Sequence, residues 1–196
     1  MATTFEPGNV LMGPCEVYYG LQGLNTLEPA SGAINEAPAA SAWDHMGGTL
    51  GDVTLLVQPT FTPLTIDQIP DEADQQMTGR VISLAIPLAE VTLKNLARAS
   101  MGTYSGTPET GENFKLTSGP QAFRQPAVKL LMDGFAPDPS GLFRRRRLVL
   151  RKTKNTGGLS LVYGKATQQT LANVFNVFYF KKDIEPLEAW DAPLAA

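Results

Sequence analysis

The chain has 196 residues, of which 43 % are hydrophobic and 18 % charged, with a net charge of −3. That length accommodates one domain with a buried core, and a charged share below the usual value of about 25 % points to a surface partly covered by partners. One cysteine, Cys15, excludes an intramolecular disulfide and a multi-cysteine metal site, and no apolar run approaches the roughly 18 residues that span a bilayer.

Residues 1–9 carry neither a basic start nor an apolar run, so no secretory signal is expected and synthesis is expected in a cytoplasm. Cys15 to Tyr19 then reads as a short aromatic strand closed by Gly20. From 21 to 51 the chain runs through Gly, Ala, Pro, Ser and Asn without a period, a long excursion whose far end is anchored by Trp43 and Met46. Alternation begins at Val53 and resumes after Pro59 from Phe61 to Ile66, giving two strands or one bent strand at a sheet edge, where proline is tolerated. Asp67 to Gln76, acidic and holding Pro70, reads as a loop. Met77 to Ile86 reads as a strand with Ile82, Leu84 and Ile86 on one face.

One helix is expected over 87–101, with Pro87 at its start, Leu93, Leu96 and Ala97 turned toward the sheet, and Gly102 closing it. Glu90 and Lys94 stand at i,i+4 in the favourable order. Residues 103–126 read as loop, and Ala127 to Met132 as a strand followed by a turn over 133–141. Leu142 to Lys152 and Leu159 to Lys165 flank Asn155-Thr156-Gly157-Gly158, a hairpin signal. Thr170 to Lys182 reads as the last strand. The expected organisation is mainly β: a single domain over 1–182 and an acidic C-terminal arm over 183–196.

Catalytic chemistry finds little support. Ser41, Asp44 and His45 are too close in sequence to converge on one reacting atom, and no Gly-x-Ser-x-Gly elbow occurs. Gly47 to Gly51 leads into a strand rather than a helix and lacks the lysine of a phosphate loop. Cys15 has only Glu16 as a charged neighbour, the wrong setting for a reactive thiolate. Asp67, Asp71, Glu72 and Asp74 are oxygen donors, but their spacing fits no calcium loop and reads better as a solvated acidic segment. No enzyme and no cofactor is expected.

Charge is distributed unevenly. Residues 1–86 hold ten acids and one base, Arg80, whereas 87–196 hold fifteen bases and nine acids. Identical subunits polarised in this way attract one another head to tail; alternatively, folding interleaves the halves and cancels the polarity. Arg144 to Arg147 with Arg151, Lys152 and Lys154 is the loudest basic run. Period two divides it between two faces, no aromatics are interleaved for base stacking, and the pI is about 5.2. Bridging between subunits fits better than nucleic-acid binding, with Asp67, Asp71, Glu72 and Asp74 facing Arg144, Arg146 and Lys152 of a neighbour.

Leu50-Gly51-Asp52-Val53-Thr54-Leu55-Leu56-Val57, then Thr65-Ile66-Asp67-Gln68-Ile69-Pro70-Asp71, then Leu88-Ala89-Glu90-Val91-Thr92-Leu93-Lys94-Asn95-Leu96-Ala97, stand in an order that resembles the major tail tube proteins of siphophages. Motif similarity covers about a quarter of the chain. The resemblance implies a β-sandwich or barrel-like subunit with one flanking helix, long loops and terminal arms. It implies hexameric rings that stack into a tube around the tape-measure protein and later DNA, meeting tail-terminator and tail-tip proteins, with no membrane partner. Localisation would be the virion, and the host cytoplasm during assembly. A tail-terminator or tail-tip ring protein of the same fold is the near alternative. A carbohydrate-binding β-sandwich is the distant one and needs an exposed platform from Trp43 with Tyr18 or Tyr19.

Overall fold

The computed structural model describes residues 14–66, 69–123, 125–137, 144–161, 165 and 168–193. It is mainly β, as expected. Its strands are β1 (Glu16–Gly20), β2 (Trp43–His45), β3 (Thr54–Ile66), β4 (Ile69–Leu88), β5 (Thr103–Thr107), β6 (Gly111–Lys115), β7 (Val128–Ala136), β8 (Arg144–Asn155), β9 (Leu171–Val177) and β10 (Leu187–Asp191). A single α-helix among the described residues, α1 (Leu93–Ser100), interrupts them.

Eight strands form one antiparallel sheet in the order β2-β1-β7-β8-β9-β4-β3, with β10 also on β8. Strands from its two halves meet over one core: Val17 of β1, Leu130 of β7 and Leu150 of β8 pack with Leu84 and Ile86 of β4 and Phe175 of β9. Strands so far apart in one sheet share a cluster only if the sheet rolls over on itself. Leu96 and Ala99 of α1 close the same core. Ile82, Leu84, Ile86 and Leu88 are all buried, and each such side chain contributes roughly 1.5–3 kcal/mol.

Several expected boundaries move. The helix begins at Leu93 because Thr92, extended at ψ 155, caps it by accepting from the N–H of Asn95. Pro87 and Leu88 belong to β4 instead. Leu93 is 36 % exposed and faces away from the sheet, while Leu96 and Ala97 are buried as expected. Glu90 and Lys94 do not pair: the Glu90 carboxylate accepts from the N–H of Gly48 at 2.9 Å, and Lys94 reaches Asp44 at 2.6 Å. Met101 takes the left-handed cap position at φ 56. Gly102 is needed for a different reason, since a Cβ there would lie 2.7 Å from the Lys115 carbonyl.

Residues 103–126 are not simply loop, because β5 and β6 form a separate hairpin with Tyr104 opposite Phe114. Of the expected second half of the hairpin, Leu159–Lys165, the described residues Leu159 to Leu161 and Lys165 form no strand, and 162–164 lie outside the described residues. Thr153 to Asn155 pair with β9 instead. β9 ends at Val177, short of Lys182, and the segment expected to be an arm over 183–196 supplies β10. β10 lies along β8, with Leu187 opposite Leu150 and Asp191 opposite Arg146. β9 and β10 thus follow one another along the same side of β8, separated by a detour through Phe178 to Pro186.

The excursion after β1 covers the outer face of the sheet. Trp43 packs with Ala42 on Leu131 and Val149, and its Nε1 donates to the Leu27 carbonyl at 2.9 Å. Charge holds the cover down. Arg147, fully buried, bonds the Asp133 carboxylate twice, at 2.7 and 2.6 Å, and donates to the carbonyls of Ala33 and Glu36. Glu28 accepts from Lys129 at 2.6 Å and from Arg151 at 3.0 Å.

Candidate assembly surface

The segment expected to be an acidic loop, Asp67 to Gln76, is a strand wherever the structure describes it: Ile69 to Gln76 continue β4, and Asp67 lies outside the described residues. Polar side chains hid it, because a two-stranded ribbon with both faces in solvent needs no apolar alternation. β3 and β4 pair from Thr54↔Ala85 to Ile66↔Ile69. The rest of the sheet follows only the first part, since β9 covers β4 from Ile82 to Leu88. Beyond that point the hairpin projects as an arm about 30 Å long at the usual strand rise. Pro59 and Pro63 sit within β3, which is an outer strand of the sheet.

Every described side chain on the projecting arm from Leu56 to Val81 is exposed, including Leu56, Val57, Phe61, Leu64, Met77 and Val81. Phe61 faces Met77 across the ladder just past a bulge at Thr60/Phe61. A lone two-stranded ribbon is marginal in water. This one also leaves the outer edge of β3, and the edge of β4 before Ile82, without a strand partner among the described residues.

The other sequence-identified residues separate into two groups. Asp71 and Asp74 are exposed on the arm, with Glu72 between them on β4. Arg144 and Arg146 are not free to face a neighbour's acids: both bond Asp191 of β10, Arg146 at 2.6 and 2.8 Å and Arg144 at 3.3 Å. The hydrogen bond from Arg146 holds the Asp191 carboxyl below its ordinary range. Period two does divide the arginine run, since Arg147 points to the opposite face and is buried. Lys152 is half-exposed beside Phe178, whose N–H donates to its carbonyl at 2.8 Å. Two acids of the first half, Glu28 and Asp44, pair with bases of the second, so folding interleaves part of the charge split and leaves the arm as an acidic remainder.

The residues considered for chemistry do not converge. Asp44 is bound by Lys94 and Arg98 of α1. His45, exposed, accepts from the N–H of Gly47 and meets the Tyr18 ring edge-on at 5.1 Å. Burial pushes the Cys15 thiol up, away from a reactive thiolate. Among the described residues no three His, Cys, Asp or Glu side chains group closely enough to hold a metal. Trp43 is 3 % exposed and Tyr19 is half-buried beneath Arg98 at 4.8 Å, so these rings form no platform for a sugar. Among the described residues no helix is long and apolar enough to cross a membrane.

No family model matches this sequence, and no curated protein matches it.

Proposed function

We propose that this chain is a structural subunit that assembles with copies of itself through the β3–β4 arm, as the tail tube protein of a long-tailed bacteriophage. The observation that carries the reading is the arm: a long ribbon with open edges and exposed apolar side chains on both faces. Such an edge is a template for strand pairing with another chain. The ordered resemblance of 50–97 to siphophage tube proteins spans this arm and the first part of α1, which favours a ring-and-tube assembly over a simple dimer. In this reading the rings stack into a conduit for DNA, enclose the tape-measure protein during assembly and abut terminator and tip proteins. A terminator or tip ring of the same fold is the second reading, and the same arm would build it.

The test replaces Pro59–Arg80 with Asn-Gly, a two-residue turn that joins the facing residues Gln58 and Val81. Negative-stain microscopy of concentrated wild type should show rings or tubes, and the shortened chain should stay dispersed while melting as a folded domain. Wild type that scatters as a monomer at every concentration refutes the reading. A shortened chain that assembles like wild type refutes the role of the arm.

A further inference from the structure

At the root of the arm the sheet splits. The last β4–β9 pair is Ile82↔Val177, after which β4 leaves with the arm and the chain detours through Phe178 to Pro186 before β10. Between them lies a slot of about 350 Å³, lined by Met77, Gly79 and Ile82 on one side and Phe178, Tyr179 and Pro186 on the other. Its walls are mostly apolar and open to solvent: Met77 is 52 % exposed and Tyr179 69 %. Gly79 offers bare backbone there, with only Thr60 within 4 Å of where a Cβ would stand.

The bases nearby are one in the lining and two on the same connection. Arg80 lines the slot, and Lys181 and Lys182 stand exposed on the detour that also supplies Phe178, Tyr179 and Pro186. None of the three has an acidic partner among the described residues. Of the two acids on the same detour, Glu185 lies 4.0 Å from Arg151, leaving Asp183 as the opposing charge. The far end of the arm has the opposite character, with Asp71 and Asp74 exposed and without a basic partner among the described residues, and with the exposed Leu64 opposite Asp74.

We propose that this slot is the seat for the acidic, apolar end of the arm of a second copy. Extended β-structure rises about 3.3 Å per residue, which places Asp71 about 30 Å from Arg80 along the same strand. A chain therefore cannot fill its own slot, and the two surfaces can meet only between copies. The contact is heterologous, one surface giving and another receiving, so it repeats from copy to copy. It also assigns the arm's acids a different basic partner from Arg144 and Arg146 of β8, which are bound to Asp191.

The inference rests on the self-assembly reading, and charge reversal separates the two. One variant carries Asp71→Lys and Asp74→Lys; the other carries Arg80→Glu, Lys181→Glu and Lys182→Glu. Each alone should fail to grow, with light scattering at least tenfold below wild type. Their equimolar mixture should grow, because each variant's arm then fits the other's slot. A milder set, Arg80→Gln, Lys181→Gln and Lys182→Gln, should grow slowly and lose the salt dependence of wild type. Wild type that never assembles overturns the self-assembly reading. Wild type that assembles, beside reversed variants that also grow alone or folded variants whose mixture stays dispersed, overturns the seat and leaves that reading standing.

Discussion

Replacing Arg147 tests how the outer cover is held. Arg147→Met keeps the aliphatic stem but removes both bonds to Asp133 and both to the carbonyls of Ala33 and Glu36. Asp133 is itself 8 % exposed, so the variant strands a carboxylate in a poorly hydrated place. Breaking a buried pair from one side costs about 3–5 kcal/mol, and a stranded carbonyl adds about 1–3 kcal/mol where water cannot reach it. The expected loss is thus at least about 3 kcal/mol, or on the order of 10 °C in melting temperature for a chain of this size. Urea unfolding measures the first, and proteolysis within 21–42 reports whether the cover loosens before the core. The double change Arg147→Met with Asp133→Leu should recover part of the loss, because no charge is then left alone. A single variant within about 0.5 kcal/mol of wild type would falsify the ionic staple.

The helix gives a paired prediction by calorimetry: Leu96→Ala should cost about 2–5 kcal/mol, whereas Leu93→Ala, on the exposed side, should cost under about 1 kcal/mol. Acid should weaken the subunit. The carboxyl of Asp191 is lowered by its hydrogen bond from Arg146, and that of Glu188 by its hydrogen bond from Arg151. For Asp44, burial pushes upward but the bonds from Lys94 and Arg98 outweigh it and lower the carboxyl. Depressed folded values mean that this stability is fully present above the unfolded carboxyl values near pH 4 and is lost as pH falls through the folded ones. A melting temperature measured from pH 6 to pH 2 should drop in that window, and less steeply for Asp191→Asn. Growth of assemblies should slow between 0.1 and 1 M salt, as the Debye length falls from about 10 to about 3 Å; turbidity that rises with salt would show that apolar contacts dominate.

Much of the core was legible, because half-buried strands write their burial in alternation. Ile82, Leu84 and Ile86 were identified as one face and are all buried. Trp43 and Met46 anchor the excursion as expected. Helical residues from Leu96 onward face inward, but Leu93 did not fit, because the cap at Thr92 sets the start of α1 and α1 has room for little more than two turns. The arm was hidden for the opposite reason: Asp71, Asp74, Gln75 and Gln76 have no face to bury, so their pairing with β3 leaves no periodic mark. Period two set Arg147 on the face opposite Arg146, but nothing local marks that face as buried. Its burial is decided by the carbonyls of Ala33 and Glu36, far away in the sequence. The slot was equally invisible, because it joins Met77, Gly79 and Arg80 to Phe178 and Tyr179, which meet them only where β9 ends.

The position of the slot also orders events in time. β3 and β4 are neighbours in sequence, so the arm can zip up as soon as both are made, whereas β1 must wait for β7, with Val17 opposite Met132. Local pairings close faster than distant ones. A nascent chain therefore carries its ribbon well before the slot proposed to seat one, because half the walls of that slot come from Phe178, Tyr179 and Pro186. Under that proposal a copy still being made could offer an arm but not receive one. Growth through the proposed seat would begin only once the detour after β9 has settled against β4, and a half-built subunit would end a chain rather than extend it.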